Sequence, residues 1–141
     1  AIVIAKSSNK NQVNYAVTVD DACAPVGPSP VHPYWRMLER GPTATEPLTE
    51  REQRVLGLKY QEVTPGAVEV ALRGMPTRVF AIHTSAGLDG RCGSWVETTI
   101  DGATTRLKSI YVQQKLFGTV DYVLLSGRTA DGAVATERVT P

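Results

Sequence analysis

The two histidines, His32 and His83, are the residues best suited to acid–base chemistry near neutral pH. A nucleophilic triad would need one of them beside a hydroxyl or thiol and a carboxylate. Ser7, Ser8 and Ser94 supply hydroxyls, but none lies in a Gly-x-Ser-x-Gly elbow. His32 lies among prolines and His83 between Ile82 and Thr84, so both read as loop or strand-end residues. Asp20-Asp21 lacks the alternating spacing of a calcium loop and reads as a turn-forming pair. Glu50 and Glu52 read as acids at a helix N-terminus, favoured by its dipole, rather than as a catalytic carboxylate pair. Ser7-Ser8-Asn9-Lys10-Asn11 is polar enough to meet an anion, yet no helix follows it, and it reads as a solvated turn. No catalytic residue, metal site or cofactor is assigned, and an enzyme is not expected.

Cys23 and Cys92 are the only cysteines. Neither has a Cys or His nearby, which makes a metal site poor. Each sits in a stretch rich in Gly, Pro and Asp, whereas buried reduced cysteines favour regular elements. The reading is a disulfide, worth roughly 4 kcal/mol by loop entropy, and an oxidising compartment. The alternative is two unrelated thiols. One recognition patch stands out. In Tyr34-Trp35-Arg36, strand alternation puts Tyr34 and Arg36 on one face and Trp35 on the other. Tyr34 and Arg36, with Arg54, have the composition of a binding hot spot. The competing reading is plain packing.

These residues need a scaffold, and the pattern around them is mostly of period two. Ile2-Val3-Ile4-Ala5 is a first strand, followed by a polar turn over Lys6–Asn11. Val13, Tyr15, Val17 and Val19 alternate with polar neighbours and predict a strand with one buried face. Residues 21–33 contain four prolines and a glycine and predict a long loop. A short strand at Tyr34–Leu38 and a second loop over Arg40–Pro47 lead to the one helix. Thr49-Glu50-Arg51-Glu52 is a capping box, so the helix should run from Glu50 to about Leu56 and stop at Gly57. Val55 and Leu56 should form its inner face, with Leu48 packed just ahead. From Leu58 onward every segment reads as strand. Asp101-Gly102 and Asp131-Gly132 are hairpin signals of the type I′ kind. The expectation is an antiparallel β-barrel or sandwich of about nine strands with one short helix, forming a single β domain over residues 1–141.

Composition narrows the function classes. The chain has 141 residues, 42% of them hydrophobic and 21% charged, and a net charge of +1. That balance fits a globular fold and argues against a nucleic-acid partner. No apolar run approaches the length of a membrane span. A first residue Ala1 instead of methionine fits processing of a signal peptide, or other trimming.

Several stretches together resemble an uncharacterised bacterial family, the domain-of-unknown-function family DUF4833. They are Ser7–Tyr15, Pro33-Tyr34-Trp35, Pro47–Glu52, Gly57-Leu58-Lys59-Tyr60 and Ile110-Tyr111-Val112-Gln113, with Gly127 near the end. Order and spacing agree over nearly the whole chain. The Pro-rich loop of Cys23 and the loop of Cys92 depart from the family pattern. The resemblance implies one domain and export, and it transfers no catalytic residue.

The functional expectation is therefore an exported bacterial β domain, secreted, periplasmic or on the cell surface, that binds a protein or assembles without catalysis. The C-terminal hairpin from Tyr122 to Val139 is the best candidate edge, because its last strand has only two charges and no proline. That strand could instead close a barrel against Ile2–Ala5. The alternative function is a lipocalin-type barrel with Phe80, Trp95, Tyr111 and Tyr122 lining a cavity for a small apolar ligand.

Overall fold

A computed structural model describes residues 2–6, 11–38, 40–114 and 120–140. Ser7, Ser8 and the middle of the polar turn expected over Lys6–Asn11 lie outside them. The chain is mainly β with one short helix. Its elements are β1 (Ile2–Lys6), β2 (Gln12–Val17), β3 (Val31–Arg36), β4 (Thr45–Pro47), α1 (Glu50–Leu56) and β5 (Leu58–Thr64). They continue as β6 (Ala67–Leu72), β7 (Met75–Ala86), β8 (Cys92–Ile100), β9 (Ala103–Gln114), β10 (Val120–Thr129) and β11 (Val134–Val139).

The strands form one hydrogen-bonded network in the order β4-β3-β2-β1-β9-β8-β7-β6-β5, and β10 and β11 continue from the other edge of β9. The network forks at β9. Its first residues, Ala103–Arg106, pair with β8. Beyond a register irregularity at Leu107–Ser109, Ile110–Val112 pair with β1 in parallel. This is the one parallel pairing in the otherwise antiparallel network of described strands. Backbone pairing does not close a barrel among the described strands, so the arrangement is sandwich-like. One wing holds β1–β4 and the other β5–β8, and β9 belongs to both.

The two wings share one core. Val13 and Tyr15 of β2 and Val31 and Trp35 of β3 join Val68, Val70 and Leu72 of β6, Phe80 and Ile82 of β7, and Val96 and Ile100 of β8. Alternation puts these side chains inward, as the sequence pattern requires. Two crosslinks reinforce the contact between wings. Cys23 and Cys92 form the expected disulfide, with Cα atoms 5.4 Å apart. The Gln61 carboxamide of β5 accepts from the Val31 amide at 2.9 Å and donates to the Val31 carbonyl at 3.0 Å. A side chain thus completes the backbone of β3 where no strand lies alongside it.

Several boundaries differ from the sequence reading, each for a physical reason. β3 begins at Val31 and contains Pro33, rather than running over Tyr34–Leu38. Its neighbour β4 reaches only Tyr34–Arg36, so Pro33 sits where β3 is an edge and its missing N–H is not needed. β4 itself was expected to be loop. Three residues ending in a proline carry too little alternation to reveal a strand, and it accounts in part for eleven strands rather than about nine. The Asp101-Gly102 turn is as expected, with positive φ at both residues, 50° and 78°.

The helix is held as its capping box predicts. Glu52 N–H donates to Thr49 Oγ1 at 3.2 Å, and Thr49 N–H donates to Glu52 Oε1 at 2.8 Å. The other Glu52 oxygen accepts from Trp35 Nε1 at 2.9 Å, which ties the helix start to β3. The other end differs from expectation. Gly57 does not turn left-handed; its backbone is extended, with φ −68° and ψ 163°. Donors from elsewhere meet the last carbonyls instead, Gly74 N–H at Val55 and the Tyr15 hydroxyl at Leu56. Gly57 is still required, because a Cβ there would lie 2.3 Å from the Gln53 carbonyl oxygen. Leu48 is buried and Leu56 half-buried, but Val55 faces outward, 49% exposed, and is not part of an inner face.

Candidate functional site

The Thr129–Ala133 segment shapes the C-terminal hairpin. Gly132 takes a positive φ of 86°, and its N–H donates to the Thr129 carbonyl at 2.9 Å. Thr129 N–H donates to the Ala133 carbonyl at 3.0 Å. The Asp131 carboxylate accepts from the Ala133 amide and the Thr129 hydroxyl, and these hydrogen bonds hold its pKa below the usual carboxylate value. Asp131 does not share the positive φ of Gly132, so this is a longer loop and not the two-residue type I′ turn expected from Asp131-Gly132.

Beyond that loop, β11 pairs with β10 from Arg128↔Val134 to Val123↔Val139 without a register break. Among the described residues it pairs with no other strand. The alternative in which it closes onto Ile2–Ala5 is overturned, because β1 is occupied by β2 on one side and β9 on the other. The inner face of β11 is anchored. Ala135 and Val139 pack against the core, and Glu137 pairs with Arg78, which also donates to the Thr99 carbonyl. On the outer face the Arg138 guanidinium lies 3.8 Å from the centre of the Tyr122 ring, within cation–π range. Val134 is 68% exposed. The strand is therefore held on one edge and one face, and its other edge is open.

The residues of the sequence-predicted patch lie on two elements. Tyr34 and Arg36 share one face of β3 with the exposed His32. The Tyr34 hydroxyl accepts from Asn14 Nδ2 at 3.5 Å, and Arg36 reaches the Pro42 carbonyl at 3.4 Å. Arg54 is exposed in the last turn of α1. The β3 residue that contacts α1 is Trp35, on the opposite face, so the helix does not extend the Tyr34–Arg36 face.

His83 stacks on Trp95 with ring centroids 4.0 Å apart, and its Nε2 lies 3.8 Å from Glu97 Oε2. Ser94 points to the other side of β8 by alternation, so histidine and acid come together without that hydroxyl. Asp20 is a turn former: its Oδ1 accepts from the Ala22 and Ala24 amides and shapes the loop that carries Cys23.

The four aromatic residues proposed to line a cavity are divided between faces. Phe80 is fully buried in the core. Trp95, Tyr111 and Tyr122 alternate with the core residues of their strands and lie on the outer face. An apolar groove of about 280 Å³ does exist, between α1, the β6–β7 turn, β9 and β10. Val55, Leu56, Leu72, Met75, Ile110 and Val123 line it. Neither this groove nor the Gln61 bridge is visible in the sequence, because each depends on residues distant along the chain.

No curated protein and no solved structure matches the chain. The family model that matches is described as a domain of unknown function, DUF4833, and it spans residues 2–138. Together with the motif order over Ser7–Gly127, that span makes this chain a member of the DUF4833 family.

Proposed function

We propose that this protein is an exported bacterial β domain that acts by accepting a strand from a protein partner along the open edge of β11, without catalysis. The observation that carries the reading is that, among the described strands, β11 pairs with β10 alone. An open strand edge offers unpaired amides and carbonyls in a fixed row, and strand addition satisfies them. The Cys23–Cys92 disulfide fits an oxidising compartment, as export requires. No helix among the described residues is long and apolar enough to cross a membrane. A photo-crosslinking residue at Thr136, expressed in the cells that make the protein, tests the reading. Covalent protein adducts are expected at Thr136 and not at Lys59, an exposed control position on β5. Equal yields at the two positions, or none at Thr136, would overturn it.

The groove supports a second reading, binding of a small apolar ligand. Its lining is almost wholly aliphatic, as in pockets that take hydrophobic molecules. Fluorescence of anilinonaphthalene sulfonate, added to native protein and displaced by dodecanoate, checks it. Val55→Trp, at an exposed position on the groove's lining, should narrow it and weaken the signal.

A further inference from the structure

We infer that the strand added at β11 is β11 of a second copy, paired antiparallel about a two-fold axis at Thr136. This rests on the open-edge reading above and names its partner. The argument begins with which backbone groups are free. Thr129 N–H donates to the Ala133 carbonyl, and the register to β10 then runs unbroken. In an antiparallel ladder, hydrogen-bonded and non-hydrogen-bonded pairs alternate. Ala135, Glu137 and Val139 therefore bond to β10. The amides and carbonyls of Val134, Thr136 and Arg138 point away from it, along the free edge.

Two copies related by a two-fold axis present the same patch to each other. Outer side chains must meet outer side chains, so the axis passes through a residue and not between two. Centring on Ala135 leaves only Val134–Thr136 within the paired strand. Centring on Glu137 sets its carboxylate opposite its own copy, and centring on Arg138 does the same with two guanidiniums; like charges directly opposite are destabilising. Centring on Thr136 avoids both conflicts. Thr136 meets Thr136, Val134 meets Arg138, and Ala135 meets Glu137. Every free-edge amide and carbonyl of those three residues then finds a partner. The Arg138 stem covers Val134 of the other copy, the most exposed valine of the chain's described strands. Glu137 keeps Arg78 as its counter-charge and meets only the methyl of Ala135.

A contact confined to one strand edge is well below the area of a stable interface, roughly 1,200 Å². The dimer is therefore weak and concentration-dependent. Isotope-filtered NMR on an equimolar mixture of labelled and unlabelled wild-type protein at millimolar concentration is the direct test. In this register Ala135 and Glu137 of opposite copies form a non-hydrogen-bonded pair, with Cα atoms about 4.5 Å apart. Within one strand they are about 6.6 Å apart. An intermolecular Hα–Hα cross-peak between Ala135 and Glu137 is expected. Amide exchange at Val134, Thr136 and Arg138 should slow at least tenfold between micromolar and millimolar protein. Thr136→Pro, which removes a free-edge donor and leaves the β10 ladder intact, should abolish that concentration dependence. A strict monomer at millimolar concentration, or a dimer without the cross-peak, overturns the inference. If the crosslinker at Thr136 nevertheless yields adducts whose mass is not twice that of the chain, the second copy is wrong and the open edge stands. If there are no adducts either, both fall.

Discussion

β5 and β11 both end their runs of backbone pairing, and they end them differently. Among the described strands β5 pairs only with β6, yet its Gln61 reaches across to Val31 and supplies an acceptor and a donor with the geometry of a peptide group. β11 pairs with β10, and among the described residues no strand pairs with its other edge. At the first, one carboxamide completes the Val31 backbone of β3 across the seam; at the second, no such side chain bridges to another strand among the described residues. A sandwich therefore need not close as a barrel to protect its edges. One amide side chain at the right register satisfies a buried strand end, and leaving such a residue out leaves a site.

The seam between the wings can be broken in graded steps. The largest effect is expected from Cys23→Ala with Cys92→Ala. It removes a link across 69 residues of chain and should cost about 4 kcal/mol of stability, measured by urea denaturation against the oxidised parent. Retention of full stability would mean that the wings are held by packing alone. Leu48→Ala comes next, at about 2–5 kcal/mol, because this side chain is buried beneath the helix start. Leu56→Ala should cost less because Leu56 is half-buried, and Thr49→Ala about 1 kcal/mol through the cap. A melt in which Thr49→Ala ranked worst would show that the helix is held by its cap rather than by its seat on the core.

Gln61→Leu sharpens the contrast between the edges most directly. Volume is kept, but the Val31 amide and carbonyl are left buried without partners, which should cost about 1–3 kcal/mol. Exchange of the Val31 amide should accelerate by the corresponding factor. If neither changes, the carboxamide does not complete the Val31 backbone. The smallest effect belongs to the open side. Thr136→Pro should alter stability in dilute solution by no more than about 0.5 kcal/mol, because the lost N–H has no intramolecular partner. A larger loss by thermal melting would place Thr136 inside the β10 ladder and reverse the assignment of free-edge groups.

Much of the scaffold was legible from local signals. The capping box at Thr49–Glu52 formed as its spacing required, since both of its hydrogen bonds lie within four residues. Asp101-Gly102 made its turn for the same reason. The alternation of Val13 and Tyr15 identified the side of β2 that packs in the core. The site was legible only in part. Few charges and no proline marked Val134–Val139 as a possible edge, but period two assigns a face and not a neighbour. Closure against Ile2–Ala5 and an open edge fit the same letters equally well.

By itself, the sequence determined which segments extend, where the chain turns, which end of the helix is capped, and that Cys23 and Cys92 offer one disulfide, although Cys92 opens β8 rather than lying in a loop. Each follows from torsional preference or from groups a few residues apart. Only the tertiary structure decided that β9 forks and takes β1 in parallel, leaving β11 without a second neighbour. It also decided that Gly74 and Tyr15 finish the helix, so that Gly57 serves close packing and not a left-handed cap. Gln61, an ordinary strand residue in the sequence, came to complete the backbone of β3 in the same way. Hydrogen-bond partners remote along the chain are set by how the wings pack, and short-range sequence pattern carries no record of that.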